Sequence, residues 1–279
     1  MKKGSIDEKP LVSIITPVLN GIQYLETCIT SVLEQSYPYI EHIFIDGGST
    51  DGTLEMLADY QTNYPERIRL ISEPGMGVGD AWNEGLRVAR GQIFGWLGAD
   101  DMSEPRAIQT VIEFFRDNTE AYFVFGDCNI IDEKGEIINR IQTKEFNLAE
   151  IIKVGCYVPT PSSFYKREVI EKVGYYSTLG NDLDYLIRVG RVFSVHRIKQ
   201  VLSNFRVHEG SSTTGARKEI RLMWLRDDCQ VSRRYGGGIF SGYCQRYYKF
   251  ALIEKLRPML GYAFPILRHL MQCCKKGWT

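Results

Sequence analysis

Apolar residues recur along the first 117 positions in two alternating rhythms. Leu11 to Val18 (LVSIITPV) is a β-rich run that stops at Asn20-Gly21, a turn signal. Residues 22–35 then place Ile22, Leu25, Ile29, Val32 and Leu33 at helical spacing, which predicts one core-facing helix. Ile40 to Ile45 reads as a second strand, Thr53 to Tyr60 as a helix, and Arg67 to Ser72 as a third strand. Val78 to Ala89 carries Trp82, Leu86 and Ala89 on a helix that Arg90-Gly91 stops. Ile93 to Leu97 is a fourth strand and Pro105 to Arg116 a further helix. Strand and helix in turn imply βαβ units, hence an α/β fold with a mainly parallel sheet flanked by helices.

Past residue 121 the pattern changes. Ala121 to Phe125 reads as a strand, and Ile130 to Ile141, with Glu133-Lys134-Gly135-Glu136 in its middle, as a hairpin. Pro159 to Tyr165 is another short strand, Glu168 to Val173 and Asp182 to Val189 are helical, and Val192 to Val201 returns to strand. A polar Gly/Ser/Thr loop, His208 to Thr214, follows, and helical segments near 217–234 and 243–272 finish the chain. The expected organisation is therefore a tail (1–10), one domain (11–215) with halves at about 11–127 and 128–215, and a basic amphipathic helical extension (216–279).

Composition changes this picture in one respect. A 279-residue chain with 44% hydrophobic and 24% charged residues is ordinary for a soluble globular protein. Its zero net charge hides a split, because residues 188–279 hold 18 Lys and Arg against 5 Asp and Glu. A basic end on an acidic body suits an anionic surface, and membrane phospholipid is preferred to nucleic acid, although packing against the acidic body is the plain alternative. The apolar region from Met259 to Cys274 is interrupted by Pro265, Arg268 and His269, too short and polar to span a bilayer but able to lie along one. Seven scattered cysteines form no CxxC or zinc spacing, which favours a reduced intracellular setting. The N-terminus lacks the apolar stretch of a signal peptide. A cytoplasmic protein, peripheral on the inner face of the membrane, is expected.

In parallel sheets, ligands collect at the carboxyl ends of the strands, and two acidic clusters fall there. Asp46-Gly47-Gly48-Ser49-Thr50-Asp51-Gly52 follows a strand and precedes a helix; its glycines allow close approach of a ligand, or it is simply a capped turn. It is neither GxGxxG nor a Walker A loop, so dinucleotide binding and P-loop hydrolysis lose support. Asp100-Asp101 ends the fourth strand and suits a hard divalent cation shared with phosphates, or the start of the next helix.

Four ordered blocks resemble the family 2 glycosyltransferases: SIITPVLN (13–20), IDGGSTDGT (45–53), NEGLRVARG (83–91) and WLGADD (96–101). The resemblance covers about residues 10–210 and implies a GT-A fold, Rossmann-like, and an inverting transfer of one sugar from a nucleotide-sugar donor to an acceptor hydroxyl. On that resemblance Thr16, Pro17 and Asn20 line the nucleotide pocket, Asp46 meets the base (uracil in many relatives, so a UDP-sugar is favoured), and Asp51 lies in the nucleotide-side loop. Asp101 would ligate Mg2+ or Mn2+; Asp100 would bind ribose or assist the metal. Gly98 departs from the family pattern, which often has Asp or Asn there. Arg90 would reach the diphosphate or cap its helix, and Asp80 and Asn83 would reach the donor sugar.

Within Gly180 to Arg188 (GNDLDYLIR), Asp182 matches the family's base, although Asn181 stands where many relatives have Glu. Inverting transfer needs such a group to take the acceptor's proton; a plain helix cap is the alternative. Asp184 is expected to pair with Arg188 at i+4. His208 would be a third metal ligand or touch the diphosphate, or be an ordinary surface histidine. The expected acceptor is a saccharide or lipid-linked saccharide. Two competing functions are a nucleotidyltransferase, which would need a Gly-rich basic loop absent from Pro17-Val18-Leu19-Asn20-Gly21, and a catalytically silent nucleotide-binding scaffold.

Overall fold

The protein is described by a computed structural model covering residues 6–177, 182–211 and 218–260. The expected βαβ order is present: β1 (Val12–Val18), α1 (Ile22–Leu33), β2 (Ile40–Asp46), α2 (Thr53–Asn63), β3 (Ile68–Ser72), α3 (Val78–Val88) and β4 (Ile93–Trp96). A two-residue strand β5 (Met102–Ser103), absent from the sequence reading, precedes α4 (Ala107–Asp117). Then come β6 (Phe123–Ile131), β7 (Ile137–Ile141), α5 (Leu148–Lys153), β8 (Ser163–Lys166), α6 (Arg167–Val173), α7 (Asp182–Val192) and β9 (Val195–Arg206). The run at 159–165 is a short helical turn, Thr160–Ser162, before β8 rather than one strand.

The strands form one sheet in the order β3-β2-β1-β4-β8-β6-β9-β5, with β7 beside β6. Pairing is parallel among β3, β2, β1 and β4 and again between β6 and β9, but β8 runs antiparallel to both its neighbours. The sheet is therefore mixed, parallel mainly in its first half. Its register aligns Val18 with Asp46, so β1 and β2 end side by side. One core packs α1 and α4 on the sheet through Val12, Ile14, Cys28, Val32, Ile108, Val111 and Phe115; a second gathers Leu25, Ile29, Phe44, Leu57 and Ile68.

The chain divides into two compact units, residues 1–151 with 156–216, and residues 152–155 with 217–279. The second contains α8 (Lys218–Arg234) and α9 (Gly242–Leu260), joined by a disulfide between Cys229 and Cys244. Reduced thiols were expected throughout; the fifteen-residue separation carries no motif, and only helix pairing brings these two together. No described helix is long and apolar enough to cross a membrane.

Candidate active site

Two loops at the carboxyl edge of the parallel strands are tied to each other. Asn20 follows β1 with φ at +53°, a left-handed conformation that Asn tolerates better than most residues. Its backbone N–H donates to Ser49 Oγ at 2.8 Å, and its Oδ1 accepts from the Thr50 N–H at 2.9 Å. Gly21 N–H donates to Thr53 Oγ1, and Ile22 N–H to Asp51 Oδ2, whose other oxygen accepts from the Thr53 N–H. Burial opposes ionisation of Asp51, but the hydrogen bonds from the Thr53 hydroxyl and from the Thr53 and Ile22 N–H groups together outweigh it and hold the carboxyl below its ordinary value. Asp46 is fully enclosed: its carboxylate accepts from the Gly48 and Ser49 N–H groups and from Ser72 Oγ at 2.9–3.2 Å. Asp46 thus shapes the turn, and does not present the free carboxylate that contact with a base requires.

The acidic pair differs. Asp101 is 3% exposed, and its Oδ1 accepts the Arg206 N–H at 2.9 Å. Burial first, and then the neighbouring Asp100 charge, raise the Asp101 carboxyl, against the pull of the Arg206 and Gly98 backbone and the Arg206 charge. Gly98 is the geometric key. A Cβ there would lie 2.7 Å from Asp101 Oδ2 and 2.8 Å from Asp100 Oδ1, so both carboxylates bend toward the space a side chain would fill. The missing side chain is what lets the two charges converge.

The pair is not a helix cap. After Asp101 the chain enters β5, which pairs antiparallel with β9 through Met102–Asn204 and Ser103–Ser203, and α4 starts only at Ala107. The Arg206 side chain, 3% exposed, donates from Nε to the Asp100 carbonyl and from Nη1 to the carbonyls of Asp132 and Glu133, and lies 4.6 Å over the Tyr24 ring. His208, two residues on, is 3.0 Å from Asp100 Oδ2 through Nε2 and packs on Tyr24 at 4.7 Å. His208 is thus brought to the pair, but engages Asp100 directly; among the described residues no three acidic, His or Cys side chains are already grouped around a metal position. A shallow hollow of about 370 Å3, lined by Ile22, Gly52, Met56, Asp59, Tyr60 and Asn63, includes none of the candidate carboxylates.

Asp182 opens α7 with its surface open to solvent, and Oδ2 accepts from Thr160 Oγ1 at 2.8 Å. Protein packed around the carboxyl raises it above its ordinary value, with Thr160 pulling the other way. Beneath it lies an aromatic layer: Tyr176 stacks on Tyr185 at 4.1 Å, and Trp96 meets Tyr176 at 5.5 Å and Tyr165 at 5.7 Å. Trp96 is the last residue of β4, so one packed layer links the Asp182 turn to the strand that leads to the acidic pair. Asp184 is buried against Arg188 at 2.9 Å, as the spacing predicts.

Three candidates lie elsewhere than expected. Thr16 is fully buried and bonded to His42 Nε2 at 2.9 Å, facing the interior rather than a pocket; Pro17 beside it remains half-exposed. Asn83 is spent bracing α3, exchanging hydrogen bonds with the backbone N–H and C=O of Tyr176. Asp80, by contrast, is exposed in the first turn of α3, the helix that follows β3, and so keeps its expected place. Arg90 sits at the wrong end of the sheet: its Nε pairs at 3.0 Å with Glu41, whose Oε1 takes the Ser13 hydroxyl near the strand starts. Nor does Arg90 cap α3, since Arg69 takes the Val88 carbonyl. The diphosphate role for Arg90 is withdrawn.

The model of the family described as Glycosyl transferase family 2 matches residues 13–174, more than half of the chain. The chain belongs to this family. An uncharacterized glycosyltransferase of Nostoc is 33% identical over 170 residues, covering 58% of this chain and 52% of its own. The chondroitin synthase of Escherichia coli is 28% identical over 79% of this chain and 32% of the relative. The chain spans about half or less of the length of these two relatives. Among solved structures, the mannosyltransferase PcManGT of Pyrobaculum calidifontis, in complex with GDP-Man and Mn2+, has a TM-score of 0.65 at 17% identity, covering 95% of this chain and 80% of that one. Staphylococcus aureus TarS with UDP-GlcNAc gives 0.59 at 16% identity over 81% and 71%. The fold is the GT-A type of this glycosyltransferase family.

Sequence reasoning passed over Arg206 and Tyr24. Arg206 carried one readable signal, its place two residues before His208 at the end of an apolar strand. Tyr24 carried none, because a ring on an amphipathic helix looks structural until the fold places it.

Proposed function

We propose that this family 2 glycosyltransferase moves a sugar from a nucleotide-sugar donor, a UDP-sugar by preference, to an acceptor hydroxyl with inversion. The reading rests above all on the convergence of Asp100 and Asp101 around Gly98 at the strand edge. That pair suits Mg2+ or Mn2+: two carboxylates side by side, one of them buried with its charge only partly satisfied, supply the oxygens a hard cation prefers. Bound there, a cation would offset the charge that grows on the departing nucleoside diphosphate. Asp101 and Asp100 would hold it, with His208 turning from Asp100 to join them. The Asn20–Asp51 loops supply a fixed floor for the nucleoside through backbone and Pro17.

Asp182 is the proton acceptor for the attacking hydroxyl. A carboxyl raised by its surroundings is a better base than a free one, and Thr160 orients the oxygen that faces away from the acceptor. The acceptor is a saccharide, free or lipid-linked, in the assembly of a cell-surface polymer; relatives named as chondroitin and hyaluronan synthases support that class. A site at a membrane surface fits a lipid-linked acceptor.

The test is product release from a panel of nucleotide sugars with Mg2+ or Mn2+. Nucleoside diphosphate is expected, and pyrophosphate would instead indicate nucleotidyl transfer. Asp182→Asn should keep donor binding and lose transfer by about a hundredfold or more. Full turnover in that variant would sink the base assignment.

A further inference from the structure

We propose that the turn between α8 and α9 is a wedge that seats the second unit on an anionic phospholipid surface. The inference does not depend on the sugar-transfer reading. At this turn Phe240 is 82% exposed and Ile239 51% exposed, two adjacent apolar side chains projecting into water. Their exposure is built in rather than left over from a loose loop. Gly236 and Gly238 take positive φ, the Gly237 N–H closes onto the Ser232 carbonyl at 2.8 Å, and Gln245 Nε2 donates to the Phe240 carbonyl at 2.8 Å. The Ser232 hydroxyl anchors to the Ile152 carbonyl at 2.6 Å, and the Cys229–Cys244 bond joins the two helices at the base of the turn. An ordered turn that presents Ile-Phe at its tip has lost the option of burying them by collapse.

Charge selects the occupant. Residues 217–279 contain 13 Lys and Arg against 4 Asp and Glu, in a chain of zero net charge. Arg233 and Arg234 end α8 just before the turn, exposed, and Arg246, Lys249 and Lys255 are exposed along α9. Aliphatic and aromatic side chains at a tip preceded by two exposed arginines match the boundary between acyl chains and anionic headgroups. The apolar stretch from Met259 to Cys274 expected to lie along a bilayer falls almost wholly outside the described residues, and the described part of α9 does not form one apolar face. Apolar residues lie on both sides of α9, with Tyr243 and Cys244 buried but Tyr248 and Leu252 exposed, so the tip concentrates what the helix spreads.

The experiment is co-sedimentation of the full chain with vesicles of phosphatidylcholine alone or with added phosphatidylglycerol, at low and high salt. Binding to the anionic vesicles that weakens with salt is expected. Ile239→Ser with Phe240→Ser should weaken it about tenfold, and Arg233→Gln or Arg234→Gln about fivefold each. Because these side chains are exposed, the variants should keep the wild-type Tm and circular dichroism, which excludes misfolding as the cause. No binding to anionic vesicles, equal binding to neutral ones, or undiminished binding by the Ile239/Phe240 variant would each overturn the proposal. So would self-association of the wild type that the same variant abolishes while vesicle binding is nil, since the tip would then face a second copy.

Discussion

Two acidic loops end parallel strands of the same mixed sheet, and they have opposite electrostatics. After β2, Asp46 and Asp51 have almost every lone pair engaged by neighbouring N–H and hydroxyl groups, and Asp51 is stabilised as an anion. After β4, the Asp100 and Asp101 carboxylates both approach the space beside Gly98, and Asp101 is held above its ordinary value by burial and by that neighbour. The first loop is finished by the fold; the second is left with charge in excess. Folding alone selects against the second arrangement, because a buried carboxylate that repels its neighbour costs stability. Unsatisfied charge at the strand edge is therefore the sounder marker of a ligand, and satisfied charge marks architecture.

The largest effect should come from Asp101→Asn. Turnover with Mg2+ or Mn2+ should fall by at least about a hundredfold, read by nucleoside diphosphate release. The metal-free variant should nevertheless be as stable as the wild type or more so, since Asn keeps an acceptor for the Arg206 N–H and sheds the repelled charge. The pH dependence sharpens this. A carboxyl raised in the fold from 3.8 to about 8 loses stability for the protein as pH climbs through that window. The advantage of Asp101→Asn in thermal melts should then be larger at pH 8 than at pH 5. A variant less stable at both would mean that the pair is structural after all.

Asp46→Ala should do the reverse. Three donors, the Gly48 and Ser49 N–H groups and the Ser72 hydroxyl, would lose their acceptor in an enclosed site. Stability should fall by about 3 kcal/mol, measured by denaturant unfolding. Acid should expose another interior contribution, from His42. Burial, then the Arg67 charge, lower that imidazole to about 3 from 6.5, so the folded state resists the proton that the unfolded chain accepts. Stability is lost as pH falls below about 6.5, and His42→Gln should flatten that limb.

The sheet edge was legible because period-two and helical spacing alternate cleanly from Leu11 to Arg116, and parallel topology forces Asn20, Asp46 and Asp100 to one side. Which carboxylates were free was not legible. Asp46 and Asp101 read alike in sequence, both Asp after an apolar strand, and only three-dimensional hydrogen bonding separates them. Arg90 misled for a related reason. It follows a helix that precedes a site strand, and so begins that strand at the far edge, where Glu41 takes it. The short β5 carried no periodicity at two residues, although it is what pins Asp101 to β9. The contact of Arg206 with the acidic pair spans more than a hundred positions, beyond the reach of any local pattern.

Asn20 offers the finest test of the contrast, with the smallest effect. Its positive φ and its contacts with Ser49 and Thr50 make it a fastener between two loops. Asn20→Ala forces a Cβ-bearing residue without a compensating side-chain bond into the left-handed region, at about 1–2 kcal/mol. Asn20→Gly keeps the conformation and loses only the exposed bond to the Thr50 N–H, so it should cost about 1 kcal/mol or less. Because the loop is architecture, both variants should raise KM for the donor in proportion to their loss of stability, while kcat stays near that of the wild type. Were Asn20→Gly to leave stability intact and yet abolish donor binding, the Asn20 side chain would be gripping the nucleotide itself. The division between a finished loop and an unfinished one would then no longer separate scaffold from site.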